Sequence, residues 1–275
     1  MDHITQNSIH WDHDLKIAVK QNLIAEEPLS IRIQGKPYAV VMRTPGDEIA
    51  HAAGFCLSEG IVETPDDFSS LGFCDEIEGN VVTVTLTPQC REKVLPILDR
   101  KGFVSQTSCG ICGKEIIEDL FQIVRPMNNK ITIDVGTASG KLDSLSDLQP
   151  LRNKTRAAHA AALYDRNMEL LSIAEDVGRH NALDKAIGKL FLDQKLEKAC
   201  LLILSSRISY ELVQKAARAR ISVILAQSKP TALAVELAKK LNMTLASRAR
   251  GSGLFIFCGP ERLSDFEEDE KQLKP

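Results

Sequence analysis

The stretch Ser108-Cys109-Gly110-Ile111-Cys112-Gly113 holds two thiols three positions apart, between glycines, at what reads as a loop running into a helix. Of seven cysteines, only Cys109 and Cys112 form a close pair. The thiolate is the reactive form of cysteine, and the free N–H groups of a helix start favour it. A pair of buried cysteines in a glycine turn is the competing reading, but the flanking glycines leave sulfur more accessible than a packed core would. As a metal site the pair falls short. It supplies two ligands where zinc takes four, or three and a water. Zinc deaminases join Pro-Cys-x-x-Cys to an upstream His-x-Glu or Cys-x-Glu. Here Ser108 replaces the proline and His51-Ala52-Ala53 lacks the glutamate, so no metal is expected.

A second group of polar residues gathers in loops that follow strand-like segments. Glu175 to Asn181 follows a strand ending at Ala174. In it Gly178 is expected to supply an unusual backbone conformation, and Asp176 to cap the next helix. Arg179 and His180 then fall in a first helical turn, where a cation opposes the helix dipole and so points to a ligand or a carboxylate partner. Ser205, Ser206, Arg207 and Ser209 follow a second strand, with hydroxyls and a guanidinium suited to phosphate or an anionic sulfur species. Lys229 lies in a third loop, before Pro230-Thr231. Arg248-Ala249-Arg250-Gly251-Ser252-Gly253 forms a fourth, where glycines let backbone N–H groups approach phosphates. Each loop alone reads equally as a helix cap or a solvated turn; four on one sheet edge say more. His159, in Arg156-Ala157-Ala158-His159-Ala160, is expected on an alanine-rich helix.

The elements that must carry these residues follow from periodicity. Residues 1–20 are polar and expected to be flexible. Leu29–Ile33 and Tyr38–Met42 read as a hairpin, followed by a helix with Ile49, Ala52, Ala53, Cys56 and Leu57 on its apolar face. Val81–Leu86 reads as a strand, and Pro88 starts a helix to about Arg100. Residues 21–104 thus form a small α+β domain. Residues 105–262 form an α/β domain that carries the cysteine pair, and 263–275 a charged tail. Strands are expected at Leu170–Ala174, Ala199–Leu204, Ile221–Ala226 and Leu254–Phe257, with amphipathic helices between them. Such a pattern implies a largely parallel sheet buried on both faces. Ligands of such sheets bind at the carboxyl ends of the strands.

Composition bounds the function. The chain has 275 residues, 26% of them charged, and a formal net charge of −3. That balance argues against a broadly basic nucleic-acid binder while allowing a local basic pocket. Met1 to Trp11 carries no apolar run of a secretory signal, and no segment has the roughly 20 apolar residues needed to span a bilayer. An odd number of irregularly spaced cysteines does not suggest a disulfide framework, so a cytoplasmic protein is expected.

Several segments together resemble the FdhD family of sulfur carriers required for formate dehydrogenase activity. They are Ala25-Glu26-Glu27-Pro28, Gly54 to Ile61, the Ser-Cys-Gly-Ile-Cys-Gly element, Glu175 to Lys185, and Ser205 to Glu211. The resemblance implies a sulfurtransferase-type carrier that accepts sulfur from a cysteine desulfurase as a persulfide on Cys109, with Cys112 as its partner. It implies transfer of that sulfur to the molybdenum bis-guanine-dinucleotide cofactor before insertion into formate dehydrogenase. Arg248 to Gly253 falls where the family's cofactor-binding segment lies. A homodimer is implied, as is a cytidine-deaminase-like three-layer α/β/α domain beside the smaller N-terminal one. Two departures stand out: Arg156-Ala157-Ala158 before His159, and a C-terminal loop without arginine at its last position. The alternatives are a binding-only chaperone for the molybdenum cofactor and a dithiol redox protein.

Overall fold

The computed structural model describes residues 1–74, 80–98, 124–129, 131–249, 251 and 253–264. Its strands are β1 (His3–Asp12), β2 (Leu15–Ile24), β3 (Glu27–Ile33), β4 (Lys36–Arg43), β5 (Phe68–Cys74), β6 (Val81–Leu86), β7 (Ile133–Asp134), β8 (His159–Tyr164), β9 (Leu170–Asp176), β10 (Leu201–Leu204), β11 (Val223–Ala226), β12 (Thr244–Arg248), β13 (Leu254–Cys258) and β14 (Leu263–Ser264). Its helices are α1 (Glu48–Ser58), α2 (Pro88–Leu98), α3 (Val135–Asp143), α4 (Pro150–Thr155), α5 (Arg179–Leu192), α6 (Tyr210–Arg218) and α7 (Ala232–Lys240).

The central sheet has the order β13-β12-β11-β10-β8-β9. Strands β10, β11 and β12 pair parallel, whereas β8 is antiparallel to both β10 and β9, and β13 to β12. The expected largely parallel sheet is therefore parallel only at its centre. All four residues of β10 and all four of β11 are buried, as strands covered on both faces require. Alternate residues serve opposite faces. Leu202, Leu204, Ile224 and Leu245 join a cluster with Leu183 and Ile187 of α5, Leu212 and Ala216 of α6, and Leu237 of α7. Leu201, Ile203, Val223 and Leu225 join another with Ala138 and Leu142 of α3 and Leu145 beyond it.

The N-terminal sheet has the order β4-β3-β6-β5, and its buried Leu29, Ile31, Val82 and Val84 belong to the first of those two clusters. Helix α1 packs on α5 so closely that a Cβ on Gly54 would lie 1.9 Å from Asp184 O, and one on Gly188 1.8 Å from Ala50 O. One core therefore runs through both expected units; the boundary drawn at 104/105 lies outside the described residues.

Three expectations are corrected. Residues 1–20 are not a flexible lead but most of a hairpin, in which β1 pairs antiparallel with β2 over ten residue pairs. His159 opens strand β8, not a helix: the alanines that favour a helix locally also supply the small side chains of a strand buried between two layers. The expected tail from 263 begins with β14, which pairs parallel with β7, and 265–275 lie outside the described residues. No helix among the described residues is long and apolar enough to cross a membrane.

Candidate functional site

Because β9, β10, β11 and β12 all point the same way, their carboxyl ends share one edge of the central sheet. Strands β8 and β13 start there. Along that edge the β12–β13 loop comes first, then Lys229 after β11 and Ser206-Arg207 after β10. His159 at the start of β8 and Gly178-Arg179-His180 after β9 follow. Four strand spacings separate β12 from β9, about 19 Å.

The β9 end is fixed by Asp176, a fully buried carboxylate. Its Oδ1 accepts the Gly178 N–H at 2.8 Å and Asn181 Nδ2 at 3.0 Å; Oδ2 accepts the Thr44 N–H at 3.0 Å and lies 2.7 Å from Lys185 Nζ. Asp176 thus ties the loop after β4 to the start of α5 rather than capping that helix. Gly178 is also not as expected. Its φ of −100° is ordinary, and glycine is needed there for space, since a Cβ would meet Asn181 Nδ2 at 2.8 Å. That amide is itself held by Met42 O at 2.7 Å.

Arg179 and His180 then project from the first turn of α5, which has no side-chain cap and no acidic residue. His180 Nε2 lies 2.7 Å from Glu211 Oε2 and 3.2 Å from Ser209 Oγ. The Ser209 hydroxyl faces His180 and makes no cap bond to α6. The His180 hydrogen bond holds the Glu211 carboxyl below its usual range. Arg179 Nε is buried and has no hydrogen-bond partner among the described residues. Burial, and then Arg207, lower the pKa of its guanidinium. His159 is lowered too, by burial first and then by Arg179 and Arg152. Arg179, Arg207 and Arg152 gather positive charge at this part of the edge, with the Glu211 carboxylate against His180 and the Asp176 carboxylate near His159.

In the β10–α6 loop the hydroxyls of Ser205 and Ser206 are committed to backbone. Ser205 Oγ accepts the Ala160 N–H at 2.8 Å, and Ser206 Oγ donates to Arg207 O at 2.9 Å. Arg207 itself is exposed. At the other end, Arg248 Nη2 lies 3.0 Å from Asp143 Oδ1, and Lys229 Nζ stands 5.2 Å over the ring of Phe255. Ala249 donates to Gly253 O at 3.0 Å, closing a loop whose Gly251 and Gly253 have φ near +89° and +88°, conformations that favour glycine. Arg250 and Ser252 lie outside the described residues, as do Cys109 and Cys112. Sequence reasoning missed Glu211 as the His180 partner and Phe255 as an exposed ring beside Lys229; both depend on strand order.

Of the five remaining cysteines Cys74 is exposed, and the other four are buried and poor nucleophiles. Burial raises the thiols of Cys56, Cys90 and Cys258, and pushes that of Cys200 up to about 11. Among the described residues no group of three or more His, Cys, Asp or Glu side chains is arranged to hold a metal ion.

Residues 24–264 match the model of the FdhD/NarQ family. The chain belongs to the FdhD/NarQ family. It is 38% identical over 253 residues to the sulfur carrier protein FdhD of Streptomyces coelicolor, covering 88% of this chain and 89% of that one. The sulfur carrier protein FdhD of Mycobacterium bovis is 35% identical over 267 residues, 93% and 96% of the two chains. The fold is also that of "a putative formate dehydrogenase accessory protein from Desulfotalea psychrophila", whose crystal structure superposes with a TM-score of 0.75 at 22% identity over 95% of this chain and 99% of that one. The buried Asp176–Lys185 pair lies within the Glu175 to Lys185 segment.

Proposed function

We propose that this protein is a sulfur carrier serving formate dehydrogenase, with Cys109 as the sulfur-bearing residue. The observation that carries the reading is its identity of 35–38% with FdhD sulfur carriers over nearly their whole length. The thiol chemistry is consistent with it. Four other cysteines are held protonated by burial, and beside the exposed lone Cys74 only Cys109 and Cys112 offer two thiols in close sequence proximity.

The Cys109 thiolate attacks the outer sulfur of a desulfurase persulfide. The S–S bond to the desulfurase cysteine breaks, its thiolate leaves, and Cys109 carries the sulfane sulfur. Release of that sulfur as sulfide takes two electrons. Cys112 supplies them by attacking Cys109 Sγ, which leaves a Cys109–Cys112 disulfide for a cellular thiol to reduce. The acceptor is the molybdenum bis-guanine-dinucleotide cofactor, which is substrate here.

Its pyrophosphates suit the edge formed by Arg179, Arg207, Lys229 and Arg248, with Arg250 in the same loop as Arg248. Arg179 Nε, buried and without a hydrogen-bond partner among the described residues, is a donor suited to such an anion. The backbone N–H groups at the uncapped starts of α5 and α6 add partial positive charge to the same edge. The reading includes a cytoplasmic location, a cytidine-deaminase-like layering of the larger unit, and a homodimer. Its test is activation of formate dehydrogenase in cells that lack the native carrier. Cys109→Ala is expected to abolish activation and Cys112→Ala to weaken it. Full activation by Cys109→Ala would reject the assignment.

A further inference from the structure

Helices α5 and α6 are joined by two rungs of opposite charge, one helical turn apart. The outer rung is the 2.7 Å contact between His180 Nε2 and Glu211 Oε2. In the inner rung Lys215 Nζ lies 2.9 Å from Asp184 Oδ1 and 2.8 Å from Oδ2, and Ser58 Oγ donates to the same Oδ1 at 2.8 Å. Residues four apart on a helix share a face, so His180 lies a turn above Asp184 and Glu211 a turn above Lys215.

The rungs differ in burial. The Lys215 and Asp184 side chains are 6% and 3% exposed, whereas that of Glu211 is 46% exposed. A buried ion pair is costly to break from one side, while a pair open to water holds little. The inner rung therefore keeps the helices together, and Glu211 can leave His180 without parting them.

Glu211 is the acid in the first turn of α6, and the first turn of α5 has none. Its carboxylate answers His180 first, then Lys215 and Arg179, and Arg207 lies against Arg179 in turn. A carboxylate beside an imidazole and a guanidinium, at a helix start, stands where a phosphate would be held.

We infer that Glu211 is a resident counter-anion which a phosphate must displace, and that it sets which ligands the acceptor edge takes. The inference rests on the acceptor edge proposed above. An anion that touches only this end exchanges one negative group for another and gains little. A ligand that also reaches Lys229 and Arg248, farther along the edge, gains contacts that Glu211 does not offset. Specificity is a difference of affinities, so free phosphate and pyrophosphate are rejected in favour of the larger dinucleotide.

Calorimetry of the full chain with inorganic pyrophosphate at low salt tests this. Glu211→Gln is expected to bind pyrophosphate at least about fivefold more tightly than the wild type, with the gap narrowing as salt is added. Glu197→Gln, the same charge change beyond the C-terminal end of α5, is expected to leave the affinity unchanged. Unchanged or weaker binding by Glu211→Gln would overturn the inference and leave Glu211 as a partner of the α6 dipole. So would an equal gain in both variants, or no binding by Glu211→Gln and the wild type alike. Sulfur loading on Cys109 plays no part in this measurement, so the carrier reading stands or falls separately.

Discussion

Lys185 Nζ lies 2.7 Å from Asp176 Oδ2 with both side chains buried, and it also donates to Thr44 O at 2.7 Å. This pair joins the loop after β4 to the start of α5 and so sets where Arg179 and His180 project. Removing one partner of a buried ion pair leaves a charge without compensation. Lys185→Met is expected to destabilise the protein by about 3–5 kcal/mol, read by urea unfolding. An unchanged midpoint would show that Asp176 does not depend on this partner.

The crossing of α1 and α5 leaves no room for a methyl group at Gly54 or Gly188, because the obstacle in each case is backbone carbonyl. Either glycine replaced by alanine is expected to cost about 1–3 kcal/mol. Thermal unfolding by circular dichroism measures this. Gly72→Ala, with nothing within 4 Å of its Cβ, serves as the control and should differ little.

Stability should fall in mild acid through His51. Burial, then Lys185, Lys215 and Arg43, holds this imidazole well below its ordinary value, so the folded protein keeps it neutral. The unfolded chain binds the proton first. Stability is therefore full above about pH 6.5 and declines as pH drops below it, by up to about 1.4 kcal/mol per pH unit for one group. His159 adds a smaller contribution of the same sign. His51→Leu should flatten the dependence of unfolding free energy on pH between 6.5 and about 5. An unaltered slope would assign the acid sensitivity elsewhere.

The basic edge should bind GDP, a fragment of the proposed acceptor, weakly and less well as salt is added. Arg207→Ala with Arg250→Ala is expected to lower that affinity at least tenfold in calorimetry, without affecting sulfur loading on Cys109. Unchanged affinity would move the pocket away from these loops.

The edge itself was legible because the loop rule for α/β sheets needs only the order of strands and helices in sequence. Loops after Ala174, Leu204 and Ala226 were recognisable from short apolar strands followed by amphipathic helices. What escaped depended on tertiary context. Alanines from Ala160 to Ala162 favour a helix until two packed layers require a thin strand between them. Leu15, Ile17 and Val19 alternate with polar residues, but the polar neighbourhood of residues 1–14 hid the ribbon they form with β1. Strand β12, Thr244–Arg248, follows α7 with few branched residues and was not separable from the loop after it. Gly178 was read as a conformational glycine, whereas the constraint is the amide of Asn181, three residues on and held by β4. The pairing of His180 with Glu211 joins the first turns of the helices after β9 and β10, which share an edge because β8 runs antiparallel to both strands.

Intact-mass measurement after incubation with cysteine and a cysteine desulfurase tests the central claim most directly. The wild-type chain is expected to gain one sulfur atom that reductant removes, with fragmentation locating it on Cys109, and Cys109→Ala is expected to gain none. Equal loading of Cys109→Ala, or no loading of the wild-type chain by an active desulfurase, would contradict the account.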